Sequence, residues 1–319
     1  MPAATTVAGV APREKARGSA ESATHVEVEG RRLRISNLQK VLYPATGFTK
    51  GHVVDYYARI GPTMVPHLSG RPLTMVRLPD GIDGERFFEK RCPGHRPDWV
   101  PTVPLDAGSS IQSCAIEEVP ALVWTANLAA LELHTPQARA DDPEHPTAMV
   151  FDLDPGAPAD VTDCADVALR LRDLLDQLGL RCVVKTSGSK GIHLSVPLAP
   201  VADADTTKAF ALALGRVLED RDPDHVTVTM AKEQRANRVF VDWSQNDRHK
   251  TTVCAYSLRA TPRPGVSTPI DWDEVEEIAG GARELAEHSP AEVLERVEEW
   301  GDFYADSLDE DQELPALSG

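Results

Sequence analysis

The sequence predicts a mixed α/β fold in which antiparallel neighbours replace a strict βαβ alternation. Three stretches carry that reading. An apolar strand, Met149-Val150-Phe151-Asp152-Leu153-Asp154, stops at Pro155-Gly156 and leads into an amphipathic helix over residues 162–178. Strands at 181–185 and 192–197 are joined by a six-residue turn, too short for a crossover, so they lie antiparallel. Strands at 238–243 and 251–258 follow with a similarly short connection.

In chain order, residues 1–25 are rich in Ala, Thr, Ser and Pro, without the apolar core of a signal peptide, and read as a disordered tail. Residues 26–34 read as a short strand pair around Glu29-Gly30. Thr49 is the expected N-cap of a helix reaching about residue 67, with Val53, Val54, Tyr57, Ile60 and Met64 along one side. A strand is expected at 73–77 and a turn at 79–81. Residues 91–104, with four prolines, read as an exposed loop. Residues 127–132 have helix composition and precede Leu133-His134. After the Asp152 strand and its helix, a helix over 206–220 and a strand at 226–230 are expected. Residues 271–280 and 290–300 read as acidic helices, with an acidic tail over 301–319.

No apolar run approaches the roughly 18–20 residues that span a membrane. The five cysteines are scattered and contain no Cys-x-x-Cys pair, which argues against a zinc site or a disulfide framework and suits a reducing cytoplasm. The net charge of −17 hides an uneven distribution. Residues 264–319 hold 17 Asp/Glu and 2 Arg, whereas residues 31–100 hold 12 Lys/Arg against 6 Asp/Glu. Residues 231–263 hold 7 against 3. The acidity belongs to the C-terminus, and the body keeps two basic blocks able to face phosphates.

Side chains alternate across a strand, so Asp152 and Asp154 project from one face. Two adjacent carboxylates repel each other unless a cation lies between them, and oxygen-only ligation suits Mg²⁺ or Mn²⁺. Asp242, near the end of Val239-Phe240-Val241, is a candidate third ligand. The bland alternatives are strand-end aspartates that are solvated or accept backbone N–H bonds. The turn Thr186-Ser187-Gly188-Ser189-Lys190-Gly191, followed by Ile192-His193, offers N–H groups, Ser187, Lys190 and His193 to phosphate oxygens, although its spacing is not that of a Walker A loop. His134 reads as a hydrogen-bonded histidine and Arg259 as a candidate triphosphate clamp. Phe87-Phe88 in a basic turn could stack on bases, and Lys40 and Lys50 flank the first helix.

Taken together, these stretches resemble the polymerase domain of bacterial LigD, in the archaeo-eukaryotic primase superfamily. The resemblance covers about residues 26–300. It rests on Ser36-Asn37-Leu38-Gln39-Lys40-Val41-Leu42-Tyr43-Pro44, Phe87-Phe88-Glu89-Lys90, Leu131-Glu132-Leu133-His134, Phe151 to Gly156, Thr186 to His193, and Phe240 to Asn246 with Tyr256-Ser257-Leu258-Arg259, all in that order. It implies a primase-polymerase fold of two packed mixed or antiparallel sheets flanked by helices. The expected divisions are a DNA-binding part over about 26–145, a catalytic part over about 146–262, and acidic helices over about 263–300.

The resemblance implies two divalent cations, Mn²⁺ or Mg²⁺, on Asp152, Asp154 and Asp242. It implies nucleoside triphosphate contacts from His134, Ser187, Lys190, His193 and Arg259. Lys40 and Lys50 would bind a DNA 5′-phosphate at a gap or break, with Phe87 and Phe88 stacking beside the template. The implied activity is templated nucleotide addition, with ribonucleotides preferred, by a cytoplasmic, nucleoid-associated monomer working with Ku and a separate ATP-dependent DNA ligase. No ligase or nuclease region is visible, so those partners would act in trans. Two other classes compete. A phosphohydrolase of the haloacid-dehalogenase kind also begins with a strand-borne Asp-x-Asp, but continues differently from Pro155-Gly156. A non-catalytic DNA-end binder would need only the basic block and Phe87-Phe88.

Overall fold

The computed structural model describes residues 23–282 and 288–316. Residues 1–22, where most of the expected tail falls, lie outside the described residues, and residues 23–25 already belong to the first strand. Strands β1 (Ala23–Val28) and β2 (Arg31–Ser36) form the expected hairpin. Its turn places Glu29 and Gly30 at φ +45° and +78°, the geometry that matches the twist of paired strands. The short pair β3 (Val41–Tyr43) and β4 (Phe48–Thr49) delivers the chain to α1 (Lys50–Leu68). Thr49 caps that helix: its hydroxyl accepts from His52 N, while Thr49 N donates 2.9 Å to His52 Nδ1.

Strands β5 (Thr74–Arg77) and β6 (Phe87–Glu89) pair antiparallel, and β7 (Thr102–Pro104) pairs with β8 (Gln112–Cys114). One expectation fails next. The helix here is α2 (Val119–Asn127), starting beside Pro120, where a missing N–H is harmless. Residues 130–135, read in part as helix, form the strand β9 (Ala130–Thr135). Apolar residues on every side of α2 hid its period.

The second half builds β10 (Ala148–Pro155), α3 (Val161–Gln177), β11 (Val183–Thr186), β12 (Ile192–Pro197), α4 (Ala204–Arg221), β13 (Val226–Thr227) and β14 (Val239–Asp242). There follow β15 (Thr252–Val253), β16 (Leu258–Ala260), β17 (Pro264–Val266), β18 (Pro269–Ile270), α5 (Trp272–Ala279) and α6 (Pro290–Trp300). The single strand expected at 251–258 is broken, because Tyr256 adopts φ +67° and turns the chain. Its ring hydroxyl donates 2.5 Å to Asp302, and its carbonyl accepts from Tyr56 at 2.7 Å, which hold that conformation in place.

Two sheets result. One has the order β13-β14-β10-β12-β11-β18 and is antiparallel except for β13 and β14; the other is antiparallel, ordered β15-β9-β5-β6. Each has its own apolar core. Phe151, Leu153, Leu194, Val196, Val239 and Val241 pack the large sheet against α3, α4 and α5. Met75, Val76, Leu131 and Leu133 join Tyr57, Ile60 and Met64 of α1 and the apolar residues of α2 in the other. Burial at about 25 cal/mol per Å² makes these two cores the main source of stability.

A further correction concerns the cysteines. Cys92 and Cys114 form a disulfide, against the expectation that scattered cysteines exclude a disulfide framework. A 2.7 Å hydrogen bond from Cys92 N to Gln112 O draws the proline-rich loop onto β8 and brings the two together. The residues after α6 make specific contacts with the body. Asp302 contacts His67 at 2.8 Å, and Glu310 pairs with Arg139 at 2.6 Å and Arg71 at 3.5 Å. Asp311 pairs with Arg181 at 2.7 Å, and Gln312 O accepts from Ala199 N at 2.8 Å. This strap ties the two halves together.

Candidate active site

The large sheet turns one face to its core; the opposite face is polar and looks toward the smaller sheet. Across that polar face runs a row of four directly paired residues, Asp242 on β14, Asp152 on β10, His193 on β12 and Lys185 on β11. Asp154 lies two residues along β10, on the same face as Asp152 and opposite Phe240. The three aspartates are therefore brought together although 88 residues separate the second from the third.

Their hydrogen bonding is specific. Asp242 Oδ1 accepts from Ser244 N at 3.0 Å and Ser244 Oγ at 2.5 Å, and Lys250 Nζ in turn donates to Ser244 Oγ. Gln245 Nε2 donates to Asp242 Oδ2 at 3.0 Å and to Asp152 Oδ2 at 3.3 Å. Asp152 Oδ1 lies 3.0 Å from His193 Nε2, off the direction of an aligned hydrogen bond, and is a buried oxygen with no donor.

Burial opposes the charge of Asp152, but His193, Lys185 and Arg259 outweigh it and hold the carboxyl below the usual range. Asp154 goes the other way. Partial burial, then the charges of Asp152 and Asp242, push it up to about 6. Among the described residues no three His, Cys, Asp or Glu side chains form a ready-made cage for an ion. The donor set nonetheless fits one: three carboxylates crowd together, one oxygen lacks a donor, and between two of them stands a neutral amide rather than a lysine or arginine. Oxygen donors of this kind suit Mg²⁺ or Mn²⁺.

A cleft of about 270 Å³ opens above the aspartates, lined among others by His134, Ser187, Lys190, His193 and Arg259. The turn after β11 is closed internally: Ser187 Oγ accepts from Ser189 N at 3.2 Å and Gly191 N at 3.1 Å. Gly188 has φ +66°, and a Cβ there would come within 2.6 Å of Arg259. A Cβ on Gly191 would come within 2.1 Å of Leu153 O, so the turn lies directly on the aspartate strand. Lys190 is exposed on its rim.

Arg259 is held from two sides. Its Nε contacts Glu132 Oε1 at 3.3 Å, and its Nη1 donates 2.5 Å to Ser187 O. Glu132 also accepts from Ala260 N at 2.9 Å and contacts His134 Nε2 at 2.9 Å. Burial pushes Glu132 up, but these partners overcome it and bring the carboxyl down to about 2. Glu132 thus positions both His134 and Arg259. Lys185, Glu132 and Gln245 went unassigned from sequence. For Lys185 and Glu132 the available signal was a polar residue on an otherwise apolar strand; Gln245 lies in the turn after β14 and gave none.

The remaining predicted residues lie apart from the aspartates. Lys40 and Lys50 are neighbours, since Lys50 N donates 2.8 Å to Lys40 O at the start of α1. The Lys40 amine pairs with Asp80 at 2.6 Å, and Lys50 Nζ contacts Ser36 Oγ at 3.4 Å. Phe87 and Phe88, on the edge strand β6, are 44% and 67% exposed.

The family model for the LigD primase-polymerase domain matches residues 49–304. The multifunctional non-homologous end joining protein LigD of Mycolicibacterium smegmatis is 42% identical over 282 residues, covering 86% of this chain and 36% of that protein. The corresponding Pseudomonas aeruginosa protein is 32% identical over 300 residues, covering 93% of this chain and 35% of its own length. The polymerase domain from Mycobacterium tuberculosis ligase D, solved in complex with DNA, superposes with a TM-score of 0.80 at 38% identity. That match covers 89% of this chain and 99% of the solved one. The chain spans little more than a third of the length of the two curated relatives described.

Proposed function

The chain belongs to the LigD primase-polymerase domain family, and we propose that it adds nucleotides, directed by a template, to a primer 3′-hydroxyl at short gaps or double-strand break ends. The pathway proposed is bacterial non-homologous end joining or excision repair. The observation that carries this reading is that Asp152 and Asp154 line a cleft together with Lys190 and Arg259, while Asp242 is paired directly across from Asp152.

Asp152, Asp154 and Asp242 would hold two divalent cations, which supply Lewis acidity at the primer hydroxyl and neutralise phosphate charge. The protein's own groups orient the nucleotide. Arg259, with Nε and Nη1 committed to Glu132 and Ser187, keeps Nη2 for a phosphate oxygen. Lys190 brings a mobile ammonium and His134 a ring nitrogen fixed in direction by Glu132. These cations stabilise the pyrophosphate as it leaves.

The nucleic acid lies along the smaller sheet in this reading. Lys40 and Lys50, beside the N-terminus of α1, bind a 5′-phosphate, which displaces Asp80 from Lys40. Phe87 and Phe88 stack on the template. Ribonucleotides and Mn²⁺ are preferred, and Ku and a separate ligase complete the repair.

The test is extension of a 5′-phosphorylated gapped duplex with ribo- or deoxyribonucleotides and Mn²⁺ or Mg²⁺. Wild type extends the primer. Asp152→Ala binds the duplex but adds nothing, and Lys50→Ala loses its preference for the 5′-phosphate. Incorporation by Asp152→Ala at the wild-type rate overturns the reading.

A further inference from the structure

We infer that Lys185 is a positioning residue that sets which nitrogen of His193 carries the proton, so that the protonated nitrogen is Nε2, on the side of Asp152 and the cleft. The inference rests on the polymerase reading for its consequence but not for its geometry. Lys185 is 3% exposed, in the polar layer between the two sheets, and faces His193 directly across β11 and β12. Its Nζ lies 3.0 Å from His193 Nδ1 and 2.7 Å from Ser267 Oγ. Ser267 Oγ donates its own hydrogen to Thr186 O at 2.9 Å, so toward Lys185 it acts as the acceptor.

Below its value of about 7 the Lys185 amine is an ammonium with donors only. In that range, where the ring spectrum is to be recorded, it can approach Nδ1 only when that nitrogen offers its lone pair. The ring proton is then on Nε2, 3.0 Å from Asp152 Oδ1. The opposite tautomer would turn a bare nitrogen lone pair toward a carboxylate and an N–H toward an ammonium, which is unfavourable at both ends. Burial drives the Lys185 amine down to about 7, and the charge of Arg259 adds to this. The position is therefore costly for a lysine that serves only to fill space. A bare counter-charge for the aspartates would have no need of Nδ1. Such orienting groups behind a ring typically account for roughly ten- to a hundredfold in activity.

The deciding measurement is the long-range ¹H–¹⁵N spectrum of the histidine rings in the metal-free protein, with the His193 signals identified by their loss in His193→Gln. Wild type should show Nδ1 unprotonated and Nε2 protonated. Lys185→Met, similar in length and uncharged, should shift His193 to a mixture of tautomers. Nucleotide addition should fall roughly ten- to a hundredfold in kcat, with the nucleotide KM little changed. Ser267→Ala, which leaves the lysine but removes its second acceptor, should shift the same signals part of the way, and serves if Lys185→Met does not fold. His193 signals that are unchanged in the folded variants overturn the inference. If wild type adds no nucleotide, the polymerase reading fails, while the ring spectrum still decides the role of Lys185.

Discussion

Asp152 and Asp242 face each other directly across two antiparallel strands, and one side-chain amide, that of Gln245, donates to both. A neutral dipole only partly offsets the repulsion of two carboxylates, so each additional positive charge at that point is favourable.

Asp242→Asn relieves that repulsion while keeping the shape of the side chain. Nucleotide addition should fall at least about a thousandfold, since a ligand is lost for the cations whose positive charge would act on the reacting phosphates. The melting temperature of the unliganded variant should equal or exceed that of wild type. Millimolar Mn²⁺ should raise the wild-type value and leave that of Asp242→Asn unchanged. Calorimetry with and without the metal checks both halves.

Asp154 gives a pH dependence. Its folded-state value is raised from 3.8 to about 6, so ionisation opposes folding. The penalty is absent below the lower value, grows between the two and is complete above the higher. Asp154→Asn should therefore be more stable than wild type at about pH 7.5 and no different at about pH 4. Water screens this exposed residue, which limits the gain to about 1 kcal/mol. Urea unfolding at the two pH values measures it.

Glu132 predicts the opposite slope. Its carboxyl is lowered from 4.5 to about 2, so its stabilising contribution is full above the higher value and is lost as pH falls through the lower. Glu132→Gln should cost roughly 3 kcal/mol at neutral pH, and the difference from wild type should shrink steadily below about pH 4.5. The variant should also bind nucleoside triphosphate more weakly, because Arg259 and His134 lose their common anchor.

The Cys92–Cys114 bridge closes a loop with a sequence separation of 22. By the chain-entropy argument its removal should cost about 3 kcal/mol. A Cys92→Ala, Cys114→Ala double variant should show that loss in urea, and reductant should produce it in wild type only.

The site was partly legible because strand alternation is local. It puts Asp152 and Asp154 on one face without knowledge of any partner. The pairing of Asp242 with Asp152 depends on hydrogen-bond register between distant strands, which no local pattern encodes. Lys185 and Glu132 carry no role legible from sequence, since a charged residue on a strand acquires one only when its neighbours across the sheet are known. The break at Tyr256 was hidden for the same reason: Asp302 and Tyr56, far along the chain, hold that conformation. Composition also gives no sign of the contacts of the acidic C-terminus, because only the fold places Arg71 and Arg139 beside Glu310.

The strap after α6 has a practical corollary for anyone excising this domain. The match to the family model stops at residue 304, before Glu310, Asp311 and Gln312 reach their arginines and the backbone of the larger half. A fragment trimmed to that boundary would leave Arg71 and Arg139 repelling each other without the Glu310 carboxylate they share. The family match and the contacts that hold the two halves together end at different residues.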